Sequence, residues 1–230
     1  EERFNQEIGA DFTEFVGRVF KEFDEETHVT DLDYHPEWPL YGATDYGWSN
    51  PFVWLAIQVD PFDNIYVIGE YRRTERDIND CAQDLLDWPL ASRASALYPE
   101  PAEPGDTEVL RKKLRIPKIV KDTGGTLKWR LELIRGKLKL VPESQPVEKR
   151  HPQFFIDRSC KDLIEEMLNY RYPDRKEDSA KPASEAPMDK DDHGPEALGR
   201  FMRGYFGGPA QGDRKNHTRI QKARMGQGHG

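Results

Sequence analysis

The chain has 230 residues, of which 36% are hydrophobic and 33% charged, with 34 Lys and Arg against 42 Asp and Glu. That length can bury a sizeable core in one large domain with extensions, while a mean hydropathy of -0.86 and the lack of any apolar run near about 18 residues exclude a membrane-spanning helix. Two cysteines, Cys81 and Cys160, exclude a disulfide scaffold and a multi-cysteine zinc site, and a net charge of -8 excludes a polycation that coats nucleic acid over its whole surface.

Phe12, Phe15, Val16 and Val19 recur at helical spacing with Glu14, Arg18 and Lys21 between them, so residues 1–31 read as a polar helix and a connector. Nothing in this stretch has the charged-then-apolar pattern of a signal peptide. Tyr34-His35-Pro36-Glu37-Trp38-Pro39 ends any helix, because each proline restricts the residue before it. Residues 1–40 therefore read as a linker arm in front of the domain proper.

The hydrophobic period then changes. Residues 41–46, 52–59 and 64–72 are rich in Val, Ile, Tyr, Phe and Trp, are separated by turn residues, and predict three strands of an antiparallel meander. Thr74 is placed to cap a helix reaching about residue 86, and residues 92–98 predict a fourth strand that stops at Pro99-Glu100-Pro101. Next come a short helix over 106–114, a strand-like 115–120, a Gly124-Gly125 turn, a helix over 127–135, an extended 137–141 and a strand at 154–156. Asp157 reads as the N-cap of a helix over 158–170, with Leu163, Ile164, Met167 and Leu168 on one face. A polar loop over 171–190 precedes a last helix over 191–205.

Residues 207–230 are rich in Gly, Gln and basic side chains, have little to bury, and read as a flexible tail. Arg200, Arg203, Arg214, Lys215, Arg219, Lys222 and Arg224 make 200–230 the clearly basic region of an acidic chain. Such a segment suits solubilising the protein and contacting nucleic acid equally.

Three acidic positions are informative. Asp45 falls near the end of the first predicted strand, where a carboxylate is disfavoured unless a ligand or cation offsets its burial. Glu100 follows the fourth strand between two prolines that stiffen the backbone, which suits either a metal ligand or a plain surface turn. Asp191-Asp192-His193 opens the last helix, a position equally suited to capping it. If neighbouring strands bring Asp45 and Glu100 to one edge and the helix adds the third acid, the cluster needs a hard cation such as Mg²⁺ or Mn²⁺. Two such ions about 3.5 to 4 Å apart can clamp a phosphodiester for hydrolysis.

The ordered strings Asp45-Tyr46-Gly47 with Asn50-Pro51, Ile65-Tyr66-Val67-Ile68-Gly69-Glu70-Tyr71, Leu97-Tyr98-Pro99-Glu100-Pro101-Ala102-Glu103-Pro104, Cys160-Lys161-Asp162-Leu163-Ile164-Glu165-Glu166 with Tyr170, and Asp191-Asp192-His193 with Ala197-Leu198 span most of residues 10–205. Together they resemble the nuclease domain of the large terminase subunit of tailed bacteriophages. The resemblance implies an α/β, RNase H-like fold: a mixed sheet with its first three strands antiparallel, flanked by helices. It implies an acidic cluster with two divalent cations, Mg²⁺ or Mn²⁺, and endonucleolytic cutting of concatemeric double-stranded viral DNA at the start and end of packaging. Implied partners are the portal protein, the small terminase subunit and an ATPase domain of the same polypeptide, in the cytoplasm of the infected bacterium and with no membrane. The chain has no Gly-x-x-x-x-Gly-Lys-Ser/Thr string, so residues 1–40 are expected to be a linker from an ATPase domain missing here.

Carried over position by position, the metal-bridging acids are Asp45, Glu100 and Asp192, with Asp191 competing for the third place. The family often has Asp at the second position, and commonly has Asp where this chain has Glu196. His193 either supports the cluster through a ring N–H or caps the helix, and Glu70 reads as structural beside Arg72 and Arg73. DNA requires a basic path, for which Lys112, Lys113, Arg115, Lys118, Lys121, Lys128 and Arg130, continued by Arg135, Lys137 and Lys139, are the candidates; ordinary solvated charges explain them as well. Trp48 fits either stacking on a base or packing in its turn. Other RNase H-like nucleases, a junction resolvase or an integrase, and a non-cleaving DNA- or portal-docking module are the alternatives.

Overall fold

The computed structural model describes residues 17–121, 124–173 and 186–207. Helix α1 (Glu25–His28) leads into β1 (Val29–Thr30), followed by β2 (Leu40–Asp45), β3 (Phe52–Val59) and β4 (Ile65–Arg73). Then come α2 (Ile78–Asp87), β5 (Ala94–Tyr98), α3 (Pro104–Lys113), α4 (Leu127–Leu138), β6 (Phe154–Asp157), α5 (Lys161–Asn169) and α6 (His193–Phe206). The strands form one sheet in the order β1-β6-β4-β3-β2-β5. β2, β3 and β4 run antiparallel as expected, while β5 is parallel to β2, and β6 is parallel to both β4 and β1.

Every residue of β3 is buried, because its alternating side chains meet a different helical layer on each face. Val53, Leu55, Ile57 and Val59 join the core under α4, α5 and α6. Phe52 and Trp54 join a second core with Cys81, Ala82 and Leu85 of α2 and Leu110 of α3. The same parity sorts the strands beside it. Tyr41 and Ala43 of β2, and Ala96 and Tyr98 of β5, all face the α6 side, where Phe201 lies 5.6 Å from Tyr41 and 5.1 Å from Tyr98 between ring centroids. Small residues let α6 sit this low: a Cβ on Gly204 would come within 2.6 Å of the Tyr98 ring.

Several expectations are corrected. The stretch read as a linker arm contributes to the fold from residue 17 onward: Val19, Phe20 and Phe23 are buried in the main core, and Val29 and Thr30 pair with β6. Residues 1–16, where most of the predicted first helix falls, lie outside the described residues, as do 174–185 and the tail from 208. α2 begins at Ile78 with Asp77, not Thr74, accepting a hydrogen bond from Asn79 N at 2.8 Å. Residues 115–120 make no strand; Arg115 has φ 56°, Pro117 lacks an N–H, and a single bridge joins Ile119 to Leu97. α4 continues through Leu138, where an extended segment was expected. Asp157 ends β6 and accepts Leu32 N at 2.7 Å and Ser159 N at 2.9 Å, so α5 starts later, at Lys161.

Candidate active site

The sheet register brings the first two acids together. In the parallel β2–β5 ladder, Ala43 is level with Tyr98. Two residues further on stand Asp45, the last residue of β2, and Glu100, just past the end of β5, so both occupy the carboxyl edge and both share the α6 face. Pro99 ends the ladder and Glu100 stays at its mouth, where its Oε2 accepts the backbone N–H of Tyr46 at 3.2 Å.

α6 supplies the rest. His193, Glu196 and Arg200 recur at helical spacing of three and four, which puts them on one face, above that edge. Arg200 donates from Nη1 to Asp45 Oδ1 at 2.7 Å and from Nη2 to Glu100 Oε1 at 3.1 Å. Its Nη2 is also 3.6 Å from Glu196 Oε2, which pairs with Arg130 Nη2 at 2.9 Å. His193 Nδ1 lies 3.0 Å from Asp45 Oδ2, and that hydrogen bond raises the imidazole above its ordinary value. Asp192, 8% exposed, is pushed up to about 6 by burial, reinforced by Asp189, Glu196 and Asp45 and opposed by His193. Burial also raises Glu196.

Asp45, Glu100, Asp192, His193, Glu196 and Arg200 line one open cleft of about 400 Å³, with Tyr46, Asn50, Leu127, Tyr170 and the 187–189 stretch completing its wall. Asp191 is outside that lining; its φ is 56° and its carboxylate lies 3.7 Å from Lys190 Nζ. None of Lys112, Lys113, Arg115, Lys118, Lys121, Lys128 or Arg130 lines the cleft itself. Lys112 pairs with Glu108 at 3.5 Å, Lys113 donates to Asn79 O, and Arg130 is engaged by Glu196. Arg115, Lys118, Lys121 and Lys128 are not part of the core, and Lys128 directly follows Leu127 of the cleft wall. Trp48 is 60% exposed beside Tyr46 on the β2–β3 turn.

Residue reading misses the two groups that organise the site. It counts Arg200, on the last helix, among the basic side chains of 200–230, yet Arg200 and Arg203 are buried at 8% exposure; the spacing of Arg200 from His193 and Glu196 is the signal that could have found it. Glu166 on α5 is 3% exposed, accepts Gly194 N at 2.7 Å and pairs with Arg72 at 2.6 Å, fixing the start of α6. Arg72 thus makes its close ion pair with Glu166 and acts on Glu70 only through its charge. Glu70 instead accepts Asp162 N and Leu163 N, each at 2.9 Å, and caps α5 from the neighbouring strand.

The donor set fits a hard divalent cation: oxygen ligands from three carboxylates around one open cleft, with a positive group already seated against two of them. Asp45, Glu100 and Asp192 would hold it. As they stand among the described residues, no three His, Cys, Asp or Glu side chains form a ready-made metal site, and the Arg200 guanidinium bridges Asp45 and Glu100.

A mixed sheet between helical layers, with carboxylates gathered at the ends of β2 and β5 and at the start of α6, is an RNase H-like α/β domain. Solved structures to which the chain is similar include a large terminase and the nuclease domains of large terminases. The large terminase of a thermophilic bacteriophage, in complex with ADP, superposes with a TM-score of 0.66 at 19% identity, over 84% of this chain and 46% of that one. This chain thus spans a little under half the length of that protein. The P22 large terminase nuclease domain matches with a TM-score of 0.57 at 18% identity, over 80% of this chain and 91% of that one. The nuclease domain of the g2p large terminase of bacteriophage SPP1, with bound Mn, matches with a TM-score of 0.54 at 16% identity, over 76% and 94% of the two chains. No family model matches the sequence, and no curated protein is detectably similar to it.

Proposed function

We propose that this chain is the nuclease domain of a large terminase, a metal-dependent endonuclease that cuts concatemeric double-stranded viral DNA at initiation and termination of packaging. The observation that carries the reading is the meeting of Asp45, Glu100 and Asp192, distant in sequence, in one open cleft at the sheet edge. The likeness to the SPP1 domain with bound Mn supports the choice of cation. Two divalent ions, Mg²⁺ or Mn²⁺, would supply the Lewis acidity that activates water and offsets charge on the leaving oxygen.

The chain's own residues hold and orient. Asp45 and Glu100 present oxygens from rigid strand ends. Asp192 presents a third carboxylate from the start of α6. His193 holds Asp45 Oδ2 in one orientation, as supporting histidines and carboxylates do around metal ligands. Contacts to phosphates rather than base edges would make cutting largely indifferent to sequence. The portal protein, the small terminase subunit and an ATPase domain on the same polypeptide are the partners of this reading, which places the protein in the cytoplasm of the infected bacterium.

The test is cleavage of supercoiled plasmid by the purified chain with Mn²⁺ or Mg²⁺, with and without chelator. Metal-dependent nicking and linearisation are expected, and Asp45→Asn, Glu100→Gln or Asp192→Asn should each slow cleavage by at least about a hundredfold, more than loss of a supporting partner does. Asp191→Asn should stay within a few-fold of the parent. Full activity in Glu100→Gln would refute the site assignment. The Arg200 bridge favours one other reading, a docking module that binds DNA without cutting, and absence of cleavage at every metal concentration would select it.

A further inference from the structure

We infer that Arg200 is a built-in counter-cation that competes with divalent metal for Asp45 and Glu100, keeping the acidic cleft self-neutralised until metal displaces it. The inference rests on the metal-dependent reading above.

All four carboxylate oxygens of Asp45 and Glu100 have a polar partner. Oδ1 and Oδ2 of Asp45 face Arg200 and His193, while Oε1 and Oε2 of Glu100 face Arg200 and the Tyr46 N–H. Two carboxylates this close repel unless a positive charge joins them, and the Arg200 side chain, 7% exposed, is that charge. A divalent ion coordinated by the same oxygens would meet the guanidinium head-on, so the two cations cannot both keep full contact with the pair.

The fold also provides somewhere for the guanidinium to go. Glu196 lies one helical turn before Arg200 on α6, with Oε2 already 3.6 Å from Nη2. Nε of Arg200 makes no hydrogen bond among the described residues, so the group is held by its Nη end alone. A shift of the side-chain tip towards Glu196 would free both ligands without moving the helix. Linkage makes the effect reciprocal: what Arg200 adds to the metal-free protein it subtracts from metal affinity.

The test is Mn²⁺ binding by titration calorimetry, together with the rise in Tm that Mn²⁺ produces, on the parent chain, Arg200→Ala, Arg200→Lys and Asp45→Asn. Arg200→Ala should melt earlier in chelator, bind Mn²⁺ at least about fivefold more tightly, and gain more from Mn²⁺ in Tm. Arg200→Lys, whose single ammonium spans the two carboxylates less well, should fall between it and the parent. Asp45→Asn should lose the binding. If Arg200→Ala does not fold, Arg200→Lys decides. Mn²⁺ affinity left unchanged or weakened by the substitutions, with Asp45-dependent binding in the parent, overturns this inference alone. No Asp45-dependent binding in any variant overturns the metal-dependent reading, and this inference with it.

Discussion

Asp192 shows what burying a single carboxyl does to stability. Burial lifts it from an ordinary 3.8 to about 6, so the folded protein holds that proton more tightly than the unfolded chain does. Stability therefore falls as pH rises from 3.8 to about 6, and the loss is complete above that window. Asp192→Asn removes the titration. In chelator its Tm should match the parent near pH 4 and exceed it at pH 7 by about 2 to 4 °C, as roughly 1 kcal/mol gives in a domain of this size. Cleavage should be lost in the same variant, the usual exchange at a functional site. An Asn variant less stable than the parent at pH 7 would mean that the carboxylate has a stabilising partner and not a desolvation penalty.

Among the elements, α6 matters most, because it carries His193, Glu196 and Arg200, with Asp192 at its cap, and all of them depend on how it is seated. Its start is clamped by Glu166, which accepts Gly194 N and pairs with Arg72 of β4. A Cβ on Gly194 would meet the Glu166 carboxylate at 2.7 Å, so only glycine lets the helix approach this closely. Glu70 serves α5 in the same way, by accepting two of its free N–H groups. The two helices are thus held to the sheet through carboxylates at their starts, each from a preceding element. Glu166→Ala leaves Arg72 and Gly194 N without this partner and should cost about 3 kcal/mol in urea unfolding, the lower end for breaking a buried pair, because Arg72 is partly exposed. A cost below about 0.5 kcal/mol, the range of ordinary surface substitutions, would show that the clamp is dispensable.

Over the molecule as a whole, the proposed function requires an acidic protein to bring polyanionic DNA to an acidic cleft. Its net charge of -8 opposes approach, so local cations have to carry the interaction. The exposed Lys128, next to the Leu127 wall, is the candidate nearest the cleft in sequence, whereas Arg130 is engaged by Glu196. Duplex binding followed by fluorescence anisotropy should weaken steeply with salt. Lys128→Ala should reduce the slope of log affinity against log salt by about 0.9, as one lost phosphate contact requires. An unchanged slope would place the DNA path elsewhere on the surface.

Local pattern was enough for the antiparallel meander, since alternating apolar residues and Pro/Gly/Asp turns leave β2, β3 and β4 few other pairings. It also put Asp45 and Glu100 at strand ends, and the parallel β2–β5 register then set them side by side. Less was legible where such signals were weak or competing. The segment from Val19 to Thr30 looks like a polar arm, yet its few apolar side chains complete the core and its two-residue strand extends the sheet. Arg200 looks like the first of the basic residues that run into the tail, and it took the packed fold to bury it between a carboxylate at the end of β2 and one just past β5. The difference is one of range: periodicity and turn chemistry act over a few residues, whereas a charge is paired by whatever folding brings within a few ångströms, here from 100 and 155 positions away.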